Sequence, residues 1–375
     1  MTNISVILDD DFFTAFENVL DVRHFWAKDV YQLAVRRMTK TGEPGFSIDV
    51  GENAGETLRN APIAGNTRVL TAGGYKKVKD IVGVPTTLWT GKQWASQVVF
   101  AETNPCAETL VVSMKGGRSL RCDPSHEFLV ERYDGSGQRR RLVGIEKVPA
   151  GELKTGDVIH VSLPKLDKPL FDPNAYMLGY AYRDGSFSKR GKVEITLCSE
   201  ASRKVLPTLL QAHGVNSVRN PDPRGFARIY FRTNPELAGA SKAVFPEKMF
   251  AASSSEIVSF IAGLFDADGN YEPIFGAIRL ASKYRAFLDG VARLLEQIGI
   301  VSGVSKAGFS TYGKSQGWQL VVFADYRDIF VDIIPTILVQ PKKRGLGYRK
   351  STIKVVSVEE GEIEPVYCDN VETTE

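Results

Sequence analysis

Cysteine is scarce in this chain, and the little there is carries no pattern. Four cysteines, Cys106, Cys122, Cys198 and Cys368, are spread over 375 residues without paired spacing. That spacing implies neither a disulfide scaffold nor a zinc site, and it fits a reducing compartment. Long apolar runs are missing too. No stretch of about 18 apolar residues exists, so no membrane span is predicted. The amino-terminal stretch carries Asp9-Asp10-Asp11, which does not fit a secretory signal. Charge of one sign is nearly absent in sum: 47 Lys and Arg stand against 44 Asp and Glu, a net charge of +3. The rest is ordinary for a globular protein, with 43% hydrophobic and 24% charged residues in a chain long enough for two or three domains.

Two stretches are near-copies of each other: Met177-Leu-Gly-Tyr-Ala-Tyr-Arg-Asp-Gly185 and Ile261-Ala-Gly-Leu-Phe-Asp-Ala-Asp-Gly269. Each predicts an apolar helix with a small residue, Gly179 or Gly263, on one face, so that two such helices can approach backbone to backbone. The acid-Gly end is expected to stop each helix. Side by side, the pair holds Asp184 and Asp268 at one end of the seam, an arrangement suited to divalent cations and in-line phosphodiester hydrolysis. Taken singly, each stretch reads first as a buried helix and its stop. The repeat argues for more, because similar blocks follow both copies. Val193-Glu-Ile-Thr-Leu197 and Leu206 to Val215 follow the first; Ala277-Ile-Arg-Leu280 and Val291 to Ile300 follow the second. That is strand and amphipathic helix, twice, and it predicts a two-fold pseudo-symmetric αβ unit over 171–347, with halves at about 171–250 and 251–347.

The charge is unevenly distributed. Residues 181–250 carry twelve Lys and Arg, Arg203 and Lys242 among them, against six acids. Many fall in segments that alternate like strands, so one sheet face is expected to be basic, a footprint for phosphates; a solvated surface is the plain alternative.

The second of the paired stretches resembles the LAGLIDADG motif of homing endonucleases, and the first is a degenerate copy. That resemblance implies double-stranded DNA as partner, a long recognition site read in the major groove, and Mg²⁺ held by Asp184 and Asp268. Lys283 and Arg203, which follow the relevant strands, are secondary candidates to steady phosphate and water. Asp266 matches Tyr182 in the first copy, so it is expected to be a packing acid.

Around the repeat lie short alternating segments with Gly turns: Pro62 to Leu70, Gly74 to Ile81, Leu120-Arg-Cys-Asp-Pro-Ser-His-Glu-Phe-Leu129, Leu153 to Ile159, and Glu364-Pro-Val-Tyr-Cys-Asp369. They predict an all-β domain, and their wording resembles the Hint domain of inteins. The implied architecture is mixed. An all-β Hint-like splicing domain (62–165, resuming at 348–375) holds an inserted α+β pseudo-two-fold LAGLIDADG endonuclease domain. A short helical host-enzyme fragment (1–61) precedes both. That fragment reads as helix from Phe12 to Val30, continuing to Met38, then as a turn-rich polar loop. The loop, ending Arg59-Asn60-Ala61, resembles the stretch leading into the radical loop of adenosylcobalamin-dependent ribonucleotide reductase, which places Asn60 in a host substrate loop. Adenosylcobalamin is implied only for the intact host and not for this chain. Asn104-Pro-Cys-Ala-Glu108 spells a similar reductase pattern but is expected to be coincidental, between two strands.

The intein resemblance sets the splice junction at Ala61–Pro62. Pro62 has neither a side-chain nucleophile nor an N–H, so the domain is either splicing-dead or uses another thiol. Cys368 matches the penultimate-block position of an intein class that begins without a nucleophile; a small buried hydrophobe is the alternative. His126 matches the block histidine that protonates the leaving nitrogen. Asp123 stands where that block normally has Thr. The final His-Asn block is not found before Glu375. Either the sequence is truncated or a separate carboxy-terminal polypeptide completes it. The competing functional readings are a processing module with an inactive nuclease and a ribonucleoside-diphosphate reductase fragment. A cytoplasmic protein, bacterial or phage-encoded, is expected.

Overall fold

The computed structural model describes residues 5–41, 45–49, 62–135, 141–166, 169–197, 199–211, 217–219, 227–230, 237–272, 276–307, 317–339, 341 and 352–369. It divides into two units, Met1–Asn60 and Ala61–Glu375.

In the first unit, strands Ser5–Asp9 and Gly45–Asp49 pair in parallel, with α1 (Asp10–Glu17) and α2 (His24–Thr41) between them. A small core of Leu8, Phe12, Ala15 and Ala27 holds it together. Two expectations need correction. The helical pattern from Phe12 to Val30 is broken, because Asn18 and Asp21 accept the backbone N–H groups of Leu20 (3.1 Å) and Arg23 (2.8 Å). Such local side-chain bonds compete with helical ones. The stretch read as a polar loop also contains a strand, fixed by its register with Ser5–Asp9, which no local pattern reveals. Residues 51–61, with Asn60 and Ala61, lie outside the described residues.

In the second unit a nine-stranded sheet runs in the order Arg141–Pro149, Glu127–Asp134, Val158–Ile159, Ile353–Glu360, Leu110–Met114, Arg118–Cys122, Ile63–Ala64, Glu364–Asp369, Phe100–Ala107. Residues 353–369 thus complete a sheet begun at Ile63. The Asn104-Pro-Cys-Ala motif does not lie between strands; its residues 104–107 are part of edge strand Phe100–Ala107, where Pro105 is tolerated because an edge has unpaired positions.

The remaining core is separate and larger, and it is built on two helices. α3 (Pro173–Asp184) starts at Asp172, whose carboxylate accepts the Ala175 N–H at 2.8 Å, with Pro173 in the first turn. α4 (Glu200–Gln211) follows. α5 (Ser254–Asp268) starts in a reciprocal capping box between Ser253 and Glu256. α6 (Arg285–Gln297) and α7 (Arg327–Ile333) complete the set. Each half adds a four-stranded sheet of identical topology. The first runs Gly185–Phe187, Val193–Leu197, Ala227–Tyr230, Ser217–Arg219; the second runs Gly269–Tyr271, Ile278–Ser282, Trp318–Val322, Ser302–Lys306. Val193, Ile195 and Leu197 point inward in one half, and Ile278 and Leu280 in the other.

α3 and α5 touch through their glycines. A Cβ on Gly179 would lie 2.0 Å from the Phe260 carbonyl oxygen, and one on Gly263 would lie 1.9 Å from that of Tyr176. The glycines after the two acids have a different reason from the one expected. Gly185 (φ −97°) and Gly269 (φ −73°) are not left-handed. A Cβ there would instead collide with the Ala181 and Phe265 carbonyls at 2.6 and 2.4 Å. The chain turns straight from helix into strand and leaves no room for a side chain.

Gly263→Ala is therefore expected to cost about 2–3 kcal/mol, because the two helices must separate. Gly144→Ala, with no atom within 4 Å of the added carbon, should stay within ~0.5 kcal/mol. Urea unfolding of the two variants beside the parent decides; equal midpoints would refute the close contact.

Candidate active sites at the helix ends and at Pro62

Because α3 and α5 run side by side, their last residues come together. The Asp184 carboxyl is pushed above its ordinary range, chiefly by burial and next by the negative charge of Asp268. Lys242 and Arg183 pull it the other way, as does a hydrogen bond from Tyr180. Lys242 itself is pushed down by burial, against the pull of both aspartates. Its ammonium donates to the Arg183 carbonyl. Arg183 Nε donates to Asp268 Oδ2 at 3.1 Å, and Nη2 makes a second bond to the same oxygen.

Two carboxylates suit a hard cation such as Mg²⁺, which keeps much of its water shell and needs few protein ligands. Among the described residues no cluster of three or more His, Cys, Asp or Glu is assembled. The donor set at the helix ends is thus two carboxylates, and it fits Mg²⁺ on that basis.

Lys283 is exposed, with its ammonium over the Tyr284 ring at 5.0 Å, and Arg203 lies in the early turns of α4. The basic groups acting on Asp184 are Lys242 and Arg183. From sequence Lys242 counts only toward the basic sheet face. It reaches the site from the loop after Gly239, whose distance in sequence hides it. Arg183 stood in the motif itself, where an arginine beside the acid in a helix's last turn was a usable signal. On the sheet face, Arg228 pairs with Glu194 at 3.0 Å, and Lys192 lies 4.3 Å from the Tyr230 ring centroid. Asp266 is buried and accepts Tyr176 Oη (2.8 Å) and the Ile337 and Val339 N–H groups (2.6 and 3.1 Å). It ties α5 to α3 and to the segment after α7.

A second constellation surrounds Pro62. Ile63 pairs with Cys122 on one side and with Tyr367 on the other. One step along that register sets Cys368 opposite Pro62. The Pro62 carbonyl accepts the Asp123 N–H at 3.1 Å, and the Asp123 carbonyl accepts the His126 N–H at 3.0 Å. The Asp123 carboxylate takes the Ser125 N–H and hydroxyl at 2.8 and 2.6 Å. It thereby closes the turn between Cys122 and Glu127. His126 packs edge-on against Phe128, 5.0 Å between centroids. Cys368 is buried, and its thiol is pushed up to about 11, mainly by burial, while Thr103 donates to the sulfur at 3.9 Å. Cys122 is held higher still, at about 12, by burial and the Asp123 charge.

Residues 255–335 match the family model of the LAGLIDADG-like domain. The chain carries such a domain. Among curated proteins, the ribonucleoside-diphosphate reductase large subunit of Invertebrate iridescent virus 6 is 26% identical over 306 residues, 75% of this chain and 30% of that protein. The DNA-directed RNA polymerase subunit Rpo1C of Methanocaldococcus jannaschii is 23% identical over 229 residues, 51% of this chain and 26% of that protein. The chain thus spans less than a third of the length of either. Among solved structures, mesophilic variants of the homing endonuclease I-DmoI align at 20% identity, covering 44% of this chain and 97% of theirs, with a TM-score of 0.35. The N-terminal LAGLIDADG domain of DUF199/WhiA aligns at 15% identity over 45% of this chain and 87% of its own, with a TM-score of 0.33.

The raised thiol gives a pH prediction. Below about 11 the Cys368 thiolate fraction rises about tenfold per pH unit, so its alkylation by iodoacetamide should keep climbing until about pH 11. Peptide mass mapping of labelled protein reads this thiol separately; a Cys368 curve that levels off near neutral pH would contradict it.

Proposed function

We propose that this chain is a site-specific double-strand DNA endonuclease of the LAGLIDADG type, borne inside a self-excising intein that interrupts a ribonucleotide reductase. The observation that carries the nuclease reading is the pairing of Asp184 and Asp268 at the common end of two helices in backbone contact. When bound there, Mg²⁺ supplies charge neutralisation and an activated water for phosphodiester hydrolysis. The protein's own part is to fix both carboxylates at one point between two sheets, with the Lys242 ammonium beside Asp184 as the group placed to hold a phosphate oxygen. The outward faces of the two sheets, with Arg228, Lys192 and Arg279 among their residues, are the surfaces to lie along the duplex.

The intein reading rests on different support. The reductase match covers 75% of this chain, far beyond the residues of the unit Met1–Asn60, and an unrelated polymerase subunit matches 51%. A segment shared between two unrelated enzymes behaves as an insert. In this reading the host fragment belongs to an adenosylcobalamin-dependent reductase, with Asn60 in its substrate loop. Cys368 thiolate attacks the Ala61 carbonyl carbon, a thioester forms, the Ala61–Pro62 bond breaks, and His126 gives the proton that Pro62 nitrogen takes up. In this reading a His-Asn block completes the reaction, and a following cysteine rebuilds the Asn60-Ala61-Cys loop of the host.

Two experiments test the halves independently. With Mg²⁺, the protein should cut the uninterrupted reductase allele around the Asn-Ala-Cys codons and spare the interrupted one; Asp268→Asn should abolish cutting and leave binding in a gel-shift largely intact. Failure to cut the empty allele in either Mg²⁺ or Mn²⁺ removes the nuclease. For the processing step, Cys368→Ala should end cleavage at Ala61–Pro62, His126→Ala should slow it by about 10²-fold or more, and Cys122→Ala should leave it running. Mass spectrometry of the released flank reads all three, and cleavage persisting in Cys368→Ala sinks the mechanism.

A further inference from the structure

The two halves share a topology but differ where their helices end. Arg183 in α3 corresponds to Ala267 in α5, one residue before the acid in each copy. The Arg183 side chain is only 11% exposed, and the second half holds it. Nη2 donates to the Ala281 carbonyl at 2.6 Å, the guanidinium lies 5.9 Å from the Phe287 ring centroid, and Nε and Nη2 both donate to Asp268 Oδ2. The backbone bond and the ring fix it independently of the carboxylate. Asp184 has no matching neighbour, since Ala267 offers no charge. The cations acting on it are the Lys242 ammonium, on a longer and rotatable stem, and then Arg183, whose guanidinium is hydrogen-bonded to Asp268.

We infer that Arg183 is a tethered counter-ion that competes with the divalent cation for Asp268, so that the two carboxylates bind metal unequally and the two DNA strands are cut in order. A fixed positive charge within hydrogen-bond reach of a carboxylate oxygen repels a second cation there and already satisfies part of that oxygen's charge. Mg²⁺, held by few protein ligands, is sensitive to such a rival. The strand whose scission draws on Asp268 is cut second, and a nicked duplex accumulates between the two cuts. This rests on the reading of Asp184 and Asp268 as metal ligands.

The test uses the whole chain and begins without DNA. Mn²⁺ titrations followed by the electron paramagnetic resonance of free Mn²⁺ compare the parent with Arg183→Met, which keeps an unbranched stem against Phe287 and removes the charge. Mn²⁺ binding should tighten by about tenfold, and adding Asp268→Asn to Arg183→Met should reverse the gain. Arg183→Lys, which keeps the charge but loses the fork, should fall between, and it serves if the methionine variant fails to fold. Unchanged or weaker Mn²⁺ binding in the variants overturns the inference and makes Arg183 a clamp that positions Asp268. On supercoiled plasmid bearing the target, the parent should pass through an open-circle intermediate that Arg183→Met shortens or skips; identical time courses overturn the ordered cutting. If no protein cuts DNA yet Mn²⁺ affinity still rises, the competition stands and the nuclease reading is what fails.

Discussion

The second unit depends on one contact, the approach of α3 to α5 at Gly179 and Gly263. Each helix places a backbone carbonyl where the other has no Cβ, and the resulting distance is shorter than any pair of side chains would allow. From that contact the remaining geometry follows. Both helices are apolar on nearly all sides because they lie between two sheets, with Ile257 to Asp266 of α5 buried without interruption. Both stop at the same level, since the next residue in each has no room for a side chain. The two acids therefore meet by construction and not through any attraction between them. Their charges repel, and with burial that repulsion holds the Asp184 carboxyl above its ordinary range.

The β-domain is fastened to the second αβ half and to the segment leading into it. Gly74, at φ +89°, turns a hairpin so tightly against Phe250 that a Cβ would fall 1.3 Å from its carbonyl oxygen. Arg68 pairs with Glu247 at 2.6 Å and lies 5.1 Å from the Phe250 ring centroid. Arg118 binds Glu296, which also accepts the Tyr75 hydroxyl at 3.4 Å. The Gly116 carbonyl accepts the Val304 N–H at 2.8 Å, so the turn of one hairpin in the nine-stranded sheet hydrogen-bonds to edge strand Ser302–Lys306 of the second half's sheet. Backbone pairing and partly buried ion pairs of this kind make a fixed joint between two separate cores. The Pro62 constellation lies in one core and the aspartates in the other, so each chemistry has its own packed support.

Pseudo-symmetry is exact in topology and loose in chemistry. Position for position, Tyr182 corresponds to Asp266 and Arg183 to Ala267. Tyr182 fills space beside Phe260 and Phe287, whereas Asp266 gathers three hydrogen bonds and locks α5 to its neighbours. The inward positions of the strands repeat because both halves must bury the same helix pair. The helix ends face one shared point, where only one side chain can occupy a given place, and there the two copies diverge.

Much of this was legible in the chain itself. A repeat ending in acid-Gly, with a glycine five residues before the acid, dictates close helices whose last residues, the carboxylates, end as neighbours. Alternating strands after each copy dictate the sheets. The Ile63, Cys122 and Tyr367 strands could be anticipated as strands, but their meeting at Pro62 could not: register between segments hundreds of residues apart is a property of the closed sheet. The same holds for the parallel partner of Ser5–Asp9, invisible in a stretch that reads as loop. Lys242 and Arg183 were present in the sequence as two of twelve basic residues, and only packing brought these two to act on the acids. A helix's own period places its residues on a face. Which loop folds over that face, and which charge it brings, is settled by contacts between elements that share no local pattern.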